Sequence, residues 1–460
     1  MTTTRSTSPL SAALRARGFT GRLVEPGDPG YDGARAGWNG AIDRRPAAVA
    51  YAGDGEDVAA AIRAARSAGV PFTVRAGGHS VSGRSVRDGA LCIDLRGLDA
   101  VTVDPRSRLV HVGGGALLGE MDAATQEHGL AVPGGQVSHT GVGGLTLGGG
   151  LGWLMRRHGL TIDSLVAAEV VLADGSTVRA AADEHPDLFW ALRGGGGDFG
   201  VVTTFEFRAH PVGPTVLAGM LVYPWDRAGE AMRASRDLMA GAPDELTLFD
   251  ALVTAPSHDP FPPELQGRPV AVVAVAWCGD LAEGERALAP LRAGHPPALD
   301  LVGPMPYVAL QSMLDATAPH GWRFYDRLHY LPEVSDELID DLIAGVERSP
   351  TPHSHVMTGW IGGAVDRVPQ GATAFGHRGA HALTWIIGCS GDEPIDDAAA
   401  WVRRLWDDTA RYAGEGVYVN ALDDGRPVRE AYADEVWERL VAVKRRYDPE
   451  GVFRGNGIGG

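Results

Sequence analysis

Residues 75–83 read RAGGHSVSG, a histidine set inside a glycine-rich turn directly after the apolar run Pro71-Phe72-Thr73-Val74. PFTVRAGG reads as a short buried strand running into a turn. The preceding EDVAAAIRAARSAG (56–69) carries apolar residues at helical spacing and stops on a glycine, so a helix leads into that strand. Gly77 and Gly78 with their neighbours can fold into a nest of N–H groups, which binds phosphate oxygens without lysine or a helix dipole. His79 is then either a metal ligand or a buried, hydrogen-bonded ring. The pairs His353/His355 and His377/His381 lack the matched carboxylate of a metal site, which leaves metal binding disfavoured.

Further along, GGQVSHTGVGGLTLGGGLG (134–152) is denser in glycine than a structural turn requires, with seven glycines between 141 and 152. Each costs backbone entropy on folding, so the segment reads as a loop laid against a flat or highly charged ligand. A third glycine cluster, LRGGGGDFGVV (192–202), contains GxGxxG at Gly195, Gly197 and Gly200. A dinucleotide fingerprint must follow a strand and open a helix; here a helix precedes and a strand follows, so the match is false as a Rossmann turn.

Around these clusters DAVTVDPRSRLVHVGGG and SLVAAEVVLADGSTVRAA read as hairpins, GALLGEMDAATQEHG and HPDLFWALR as helices, and VVTTFEFRA as a returning strand. That mixture, without regular βαβ alternation, is an α+β pattern. After Pro211 and Pro214 the texture changes to strands such as VAVVAVAWC and ALTWIIGC alternating with amphipathic helices, including SDELIDDLIAGVER with Ser335 as its cap. The expected division is 1–212, 213–414 and a tail, 415–460.

With 460 residues, 44% of them hydrophobic, the chain can bury more than one core. Its formal charge of -17 would repel nucleic acid and anionic lipid, so neither is an expected partner. No apolar run is long enough for a membrane span, and a cytoplasmic protein is expected. Cys92, Cys278 and Cys389 are isolated and read as buried free thiols. Lys444 is the only lysine, which excludes a Walker-A loop and a pyridoxal Schiff base. It lies in RLVAVKRRYDP beside the helical face Leu440, Val443 and Tyr447, and is expected in a solvated last turn.

RAGGHSVSG, TGVGGLTLGGGLGWL, DLFWALRGGGGDFGVVT, the late YVN (418–420) and YDPEGVFRGN together resemble the FAD-linked oxidases of the vanillyl-alcohol-oxidase type, in particular the berberine-bridge-enzyme-like branch. The resemblance runs from about Gly27 to Asn456. It implies a PCMH-type FAD-binding domain made of 1–212 plus the returning tail, and a central substrate domain in which helices cover a sheet. It implies FAD joined to the ring of His79 through the 8α-methyl group, with Arg75, Ala76, Gly77, Gly78 and Ser80 cradling the pyrophosphate. Thr140, Gly141, Gly143 and Gly144 would lie along the cofactor with Val137 and Ser138 beside them, Val202 would meet the adenine end, and Asn456 would return to the isoalloxazine. Members with two covalent links carry a cysteine where this chain has Val137, so a single link is expected. His139 is expected to order the backbone by a hydrogen bond.

The family oxidises a small organic molecule by hydride transfer to flavin N5, and dioxygen is the expected acceptor, giving hydrogen peroxide. A dehydrogenase using another acceptor, or a flavin-holding protein without catalysis, are the alternatives. Tyr418 is the expected base, or a tyrosine that shapes the pocket. With an ordinary pKa near 10 it needs a neighbouring positive charge, a hydrogen-bond donor or concerted transfer. Tyr325 and Arg378 are weaker candidates for the substrate side.

Overall fold

The helix read at 56–69 runs from Gly55 to Ala68. Asp54 caps it by accepting a hydrogen bond from the Asp57 N–H, and Gly69, at φ 64°, ends it in a left-handed conformation that glycine adopts without strain. It crosses over from the strand Ala48–Tyr51 to the strand Phe72–Arg75, with Leu91–Asp94 hydrogen-bonded between them and parallel to both. Arg22–Val24 adds an antiparallel edge. The computed structural model describes residues 8–422, 425–455 and 457–459.

A second sheet follows, antiparallel, ordered Val101–Asp104, Leu109–Gly113, Val201–Arg208, Leu165–Val171 and Thr177–Ala181, and both expected hairpins belong to it. Its apolar face packs against the C-terminal helix Asp434–Tyr447 through Val436, Leu440 and Val443, so the tail returns to the first half of the chain. The glycine-rich stretch departs from the expected loop. Val142–Gly148 is a short helix, whose glycines let it approach neighbouring backbone where side chains would hold it off.

The third sheet is large and antiparallel. Its centre runs Thr215–Pro224, Pro269–Trp277, Leu246–Thr254, His355–Trp360, Ala382–Ser390 and Arg323–Leu331. One face is covered by the helices Ala228–Met239, Asp336–Val346 and Asp396–Thr409, and Ser335 caps the second of these through the Leu338 N–H. The other face packs on residues 151–162, Tyr307 and Tyr418. The three cysteines are free and buried. Among the described residues no helix is long and apolar enough to cross a membrane.

Lys444 is not solvated. It is 4% exposed, and its ammonium donates to the backbone carbonyls of Asp198 (2.7 Å) and Phe453 (2.6 Å) and to the Asp448 carboxylate (2.6 Å). Its partners come from the third glycine cluster and from residues 448–453, and Asp448 is its helical neighbour. The ammonium thus clamps residues 448–453 onto the third glycine cluster, and removing one partner of the buried pair with Asp448 costs about 3–5 kcal/mol.

Candidate functional site

Two glycine segments meet backbone to backbone. A Cβ on Gly77 would fall 2.4 Å from Gly141 N, and one on Gly141 would fall 2.2 Å from Gly77 N, so neither position admits a side chain. This contact sets RAGGHSVSG beside the glycine-rich helix, and together they form one wall of a cavity of about 450 Å³. Ala76, Gly77, Gly78, His79 and Ser80 line it, as do Val137, Thr140, Gly141, Gly143 and Gly144. Val202 and Tyr418 line it as well. Gly196, Gly197 and Gly200 of the third cluster join them; that cluster follows the helix Pro186–Leu192 and precedes a strand, so it is no Rossmann turn, yet it contributes to the same wall.

Two expected positions lie elsewhere. Arg75 is 1% exposed and outside the lining: its Nε donates to the Asp94 carboxylate at 2.8 Å, and Asp94 is its register partner on the neighbouring parallel strand. Its guanidinium also donates to the carbonyls of Ala34 and Ala36. It braces the turn from behind and does not reach the cradle. Ser138 likewise turns away, its N–H donating to the Asp315 carboxylate at 2.8 Å. Asn456 lies outside the described residues.

The opposite wall is a sheet face. In Arg323–Leu331 side chains alternate, so Phe324 and Asp326 face the cavity while Tyr325, Arg327 and His329 face the helix Asp396–Thr409. Tyr325, expected on the substrate side, therefore lies on the wrong face. Arg378 is also outside the lining; it is 2% exposed and held in a two-pronged ion pair by Asp163 at 2.9 and 2.6 Å. In their place Asp326, Ile387 and His355 stand in one row across three strands, with Trp385 and Met357 in the next. Among the described residues Asp326 is the one carboxylate in the lining, and its Oδ2 accepts the Trp385 indole N–H at 2.6 Å. Burial keeps the His355 ring neutral by lowering its pKa.

Tyr418 bridges the walls. Its hydroxyl oxygen accepts the Gly150 N–H (3.1 Å) and the Asn420 side-chain amide (2.9 Å). Burial raises its pKa above the ordinary value, and these donors act against that rise. His79 lies flat on Trp38, ring centroids 4.1 Å apart, and its pKa is pushed down to about 3 by burial and then by His139 and His320. His139 does more than order backbone: its Nδ1 is 3.0 Å from His79 Nε2.

The lining suits a flat, extended, phosphate-bearing ligand. Apart from its own helix, a Cβ on Gly144 would meet no atom of the described residues within 4 Å, so the groove there has room for another molecule. Arg84 and Arg454 supply positive charge, and Ser80 and Ser82 lie between His79 and Arg84 in the chain. Gln136 has a buried amide nitrogen with no hydrogen-bond partner among the described residues, a donor suited to a ligand oxygen. Fold and site together define a protein built to hold a flat, phosphate-bearing cofactor between a backbone cradle and a sheet.

Residues 46–181 match the FAD binding domain family and residues 417–457 the family described as berberine and berberine like. An FAD-linked oxidoreductase of Bacillus subtilis is 31% identical over 445 residues, 95% of this chain and 96% of that protein. The (R)-6-hydroxynicotine oxidase of Paenarthrobacter nicotinovorans is 30% identical, over 95% of this chain and 96% of the relative. Among solved structures, 6-hydroxy-D-nicotine oxidase from Arthrobacter nicotinovorans superposes with a TM-score of 0.85 at 26% identity, covering 98% of this chain and 99% of the other. The glucooligosaccharide oxidase of Acremonium strictum, with its 6-S-cysteinyl, 8α-N1-histidyl FAD, gives 0.84 at 25% identity, covering 98% and 99%. The chain belongs to the berberine-bridge-enzyme-like family of FAD-linked oxidoreductases.

Proposed function

We propose that this protein is an oxidase of a small organic molecule, with FAD attached by a single bond to the ring of His79. The observation that carries the reading is His79 itself, a neutral imidazole held flat on Trp38 at the cavity wall. Val137 occupies the position of the second attachment cysteine in doubly linked members, so one link is the expected number. Residues 1–212 with 415–460 hold the cofactor, and 213–414 carry the substrate wall. Held there, the flavin would supply a two-electron acceptor for a hydride from a substrate carbon, with dioxygen as the final acceptor and hydrogen peroxide as its product.

The protein's part is binding, orientation and proton handling. Arg84, Arg454 and the glycine N–H groups hold the phosphates. Phe324, Met357, Trp385 and Ile387 exclude water from the reacting face and favour an apolar or aromatic substrate body. Asp326 accepts a hydrogen bond from a hydroxyl or amine on that substrate and sets its orientation. Tyr418 takes the substrate proton, and the two N–H groups at its oxygen stabilise the charge that develops there.

Acid precipitation tests the attachment: the yellow colour stays with the wild-type protein and is washed out of His79→Ala. Anaerobic addition of alcohols, amines, phenols and sugars, followed by bleaching of the flavin, finds the substrate. Admission of air then separates an oxidase from a dehydrogenase, since an oxidase recovers its colour at once and releases peroxide.

A further inference from the structure

His79 is constrained in two independent ways. Trp38 lies parallel to it at 4.1 Å, with an interplanar angle of 16°, and fixes the plane of the ring. Trp38 is itself fixed, since its indole N–H donates to the Ala318 carbonyl at 2.7 Å and its other face stacks on Phe324. Stacking alone leaves the imidazole free to turn within that plane. The contact between His79 Nε2 and His139 Nδ1, 3.0 Å long, stops the turn and gives the two nitrogens different surroundings.

His139 is not part of the cavity lining. It stands outside it, packed on the His320 ring with centroids 4.6 Å apart, on a segment that Ser138 pins to the Asp315 carboxylate. The groups facing this pair are therefore His320 and Asp315. Both rings are neutral at physiological pH: burial, then His139 and His320, lower the pKa of His79, while burial, then His320, lower that of His139. Asp315 acts the other way on His139, and its backbone carbonyl favours a proton on that ring. A neutral His139 with this proton on Nε2 presents the Nδ1 lone pair to His79.

We propose that His139 is the positioning residue and proton acceptor for flavin attachment, taking the Nε2 proton of His79 so that Nδ1 is the nucleophile. This rests on the reading that His79 is the point of attachment. The bond that forms joins His79 Nδ1 to the 8α carbon. The bonds that break are one C–H of the 8α-methyl group and the N–H at His79 Nε2. Two protons leave, the second to His139 Nδ1, and two electrons enter the flavin. Dioxygen removes both electrons, takes up two protons and leaves as hydrogen peroxide, and the attached cofactor ends oxidised. Asp315 offsets the positive charge that His139 acquires.

Full-length wild type, His79→Ala, His139→Ala and His139→Asn, expressed under riboflavin limitation, are supplied with FAD in air. Total bound flavin is read by absorbance, and the attached fraction by acid precipitation and intact mass. Removal of a positioned base is expected to slow attachment by about 10²-fold in His139→Ala, with FAD still bound. Imidazole in the buffer should restore part of the rate. Asn can accept the Nε2–H bond without taking the proton, so His139→Asn should attach more slowly than wild type and faster than Ala. In wild type the rate should fall as acid protonates His139, and His139→Ala should lack that fall. Attachment at the wild-type rate in either variant overturns the proposal; where His139→Ala loses FAD entirely, His139→Asn decides. A wild type holding only dissociable flavin, or a His79→Ala that still carries attached flavin, instead overturns the attachment reading.

Discussion

One wall of the cavity is backbone: Gly77 and Gly141 touch main chain to main chain, and a methyl group on either would fall inside the other's van der Waals radius. The facing wall is side chain, with Phe324, Asp326, His355, Met357, Trp385 and Ile387 drawn from three strands of one sheet. The first surface has no freedom to vary, because its shape is the path of the chain. The second can change residue by residue while the hydrogen-bonded ladder beneath it stays intact. A cofactor common to a family belongs on the first kind of wall and a substrate particular to one member on the second.

The largest effect should come where the walls meet. Tyr418→Phe should lower the rate of flavin reduction by about 10²–10⁴-fold with bound FAD unchanged, measured by anaerobic stopped-flow. A base must be deprotonated to act, and burial raises this phenol's pKa. The wild-type rate should therefore climb with pH from neutrality toward that pKa, and Tyr418→Phe should flatten the climb. Equal pH profiles in the two proteins would remove Tyr418 from the proton transfer.

On the backbone wall Gly141→Ala should cost about 3 kcal/mol of stability, seen as a lowered thermal midpoint together with loss of FAD. A variant of wild-type stability would break the contrast between the walls. On the sheet wall Asp326→Asn should leave stability and bound FAD unchanged and raise KM about ten-fold, the effect of losing one charge-assisted hydrogen bond worth ~1.5 kcal/mol. An unchanged KM would move substrate recognition away from that row.

The smallest effect sharpens the comparison most. Gly144→Ala sits in a helix with no protein atom near the added methyl, so the cofactor-free protein should gain about 0.5–1 kcal/mol. Its FAD retention should fall, because the methyl projects along the groove. Opposite signs in the thermal midpoints with and without FAD would identify Gly144 as a cofactor contact.

How far the sequence could be read depended on how each feature is written in it. RAGGHSVSG and the glycines from 141 onward are each contiguous, and backbone crowding leaves glycine as the one residue that fits at 77 and 141, so the cradle and His79 were legible together. Arg75 misled because its partner Asp94 is brought alongside by a parallel strand pairing that no local pattern announces. Tyr325 was expected on the substrate side and Asp326 was not singled out, because both faces of RFYDRLHYL are covered, which leaves no polar phase to tell one from the other. Lys444 looked solvated because two of its three partners are backbone carbonyls, which carry no signal in the sequence, and one of them belongs to a distant segment.

By itself the sequence determined the class of cofactor and excluded a Walker-A loop and a pyridoxal Schiff base, since each depends on residue identity within a short segment. Only the tertiary structure decided that His139 meets His79, that Asp326 lines the cavity, and that Lys444 holds residues 448–453 against the third glycine cluster. Each of those is a contact between segments, and a pairwise distance is set by how sheets and helices pack and not by spacing along the chain.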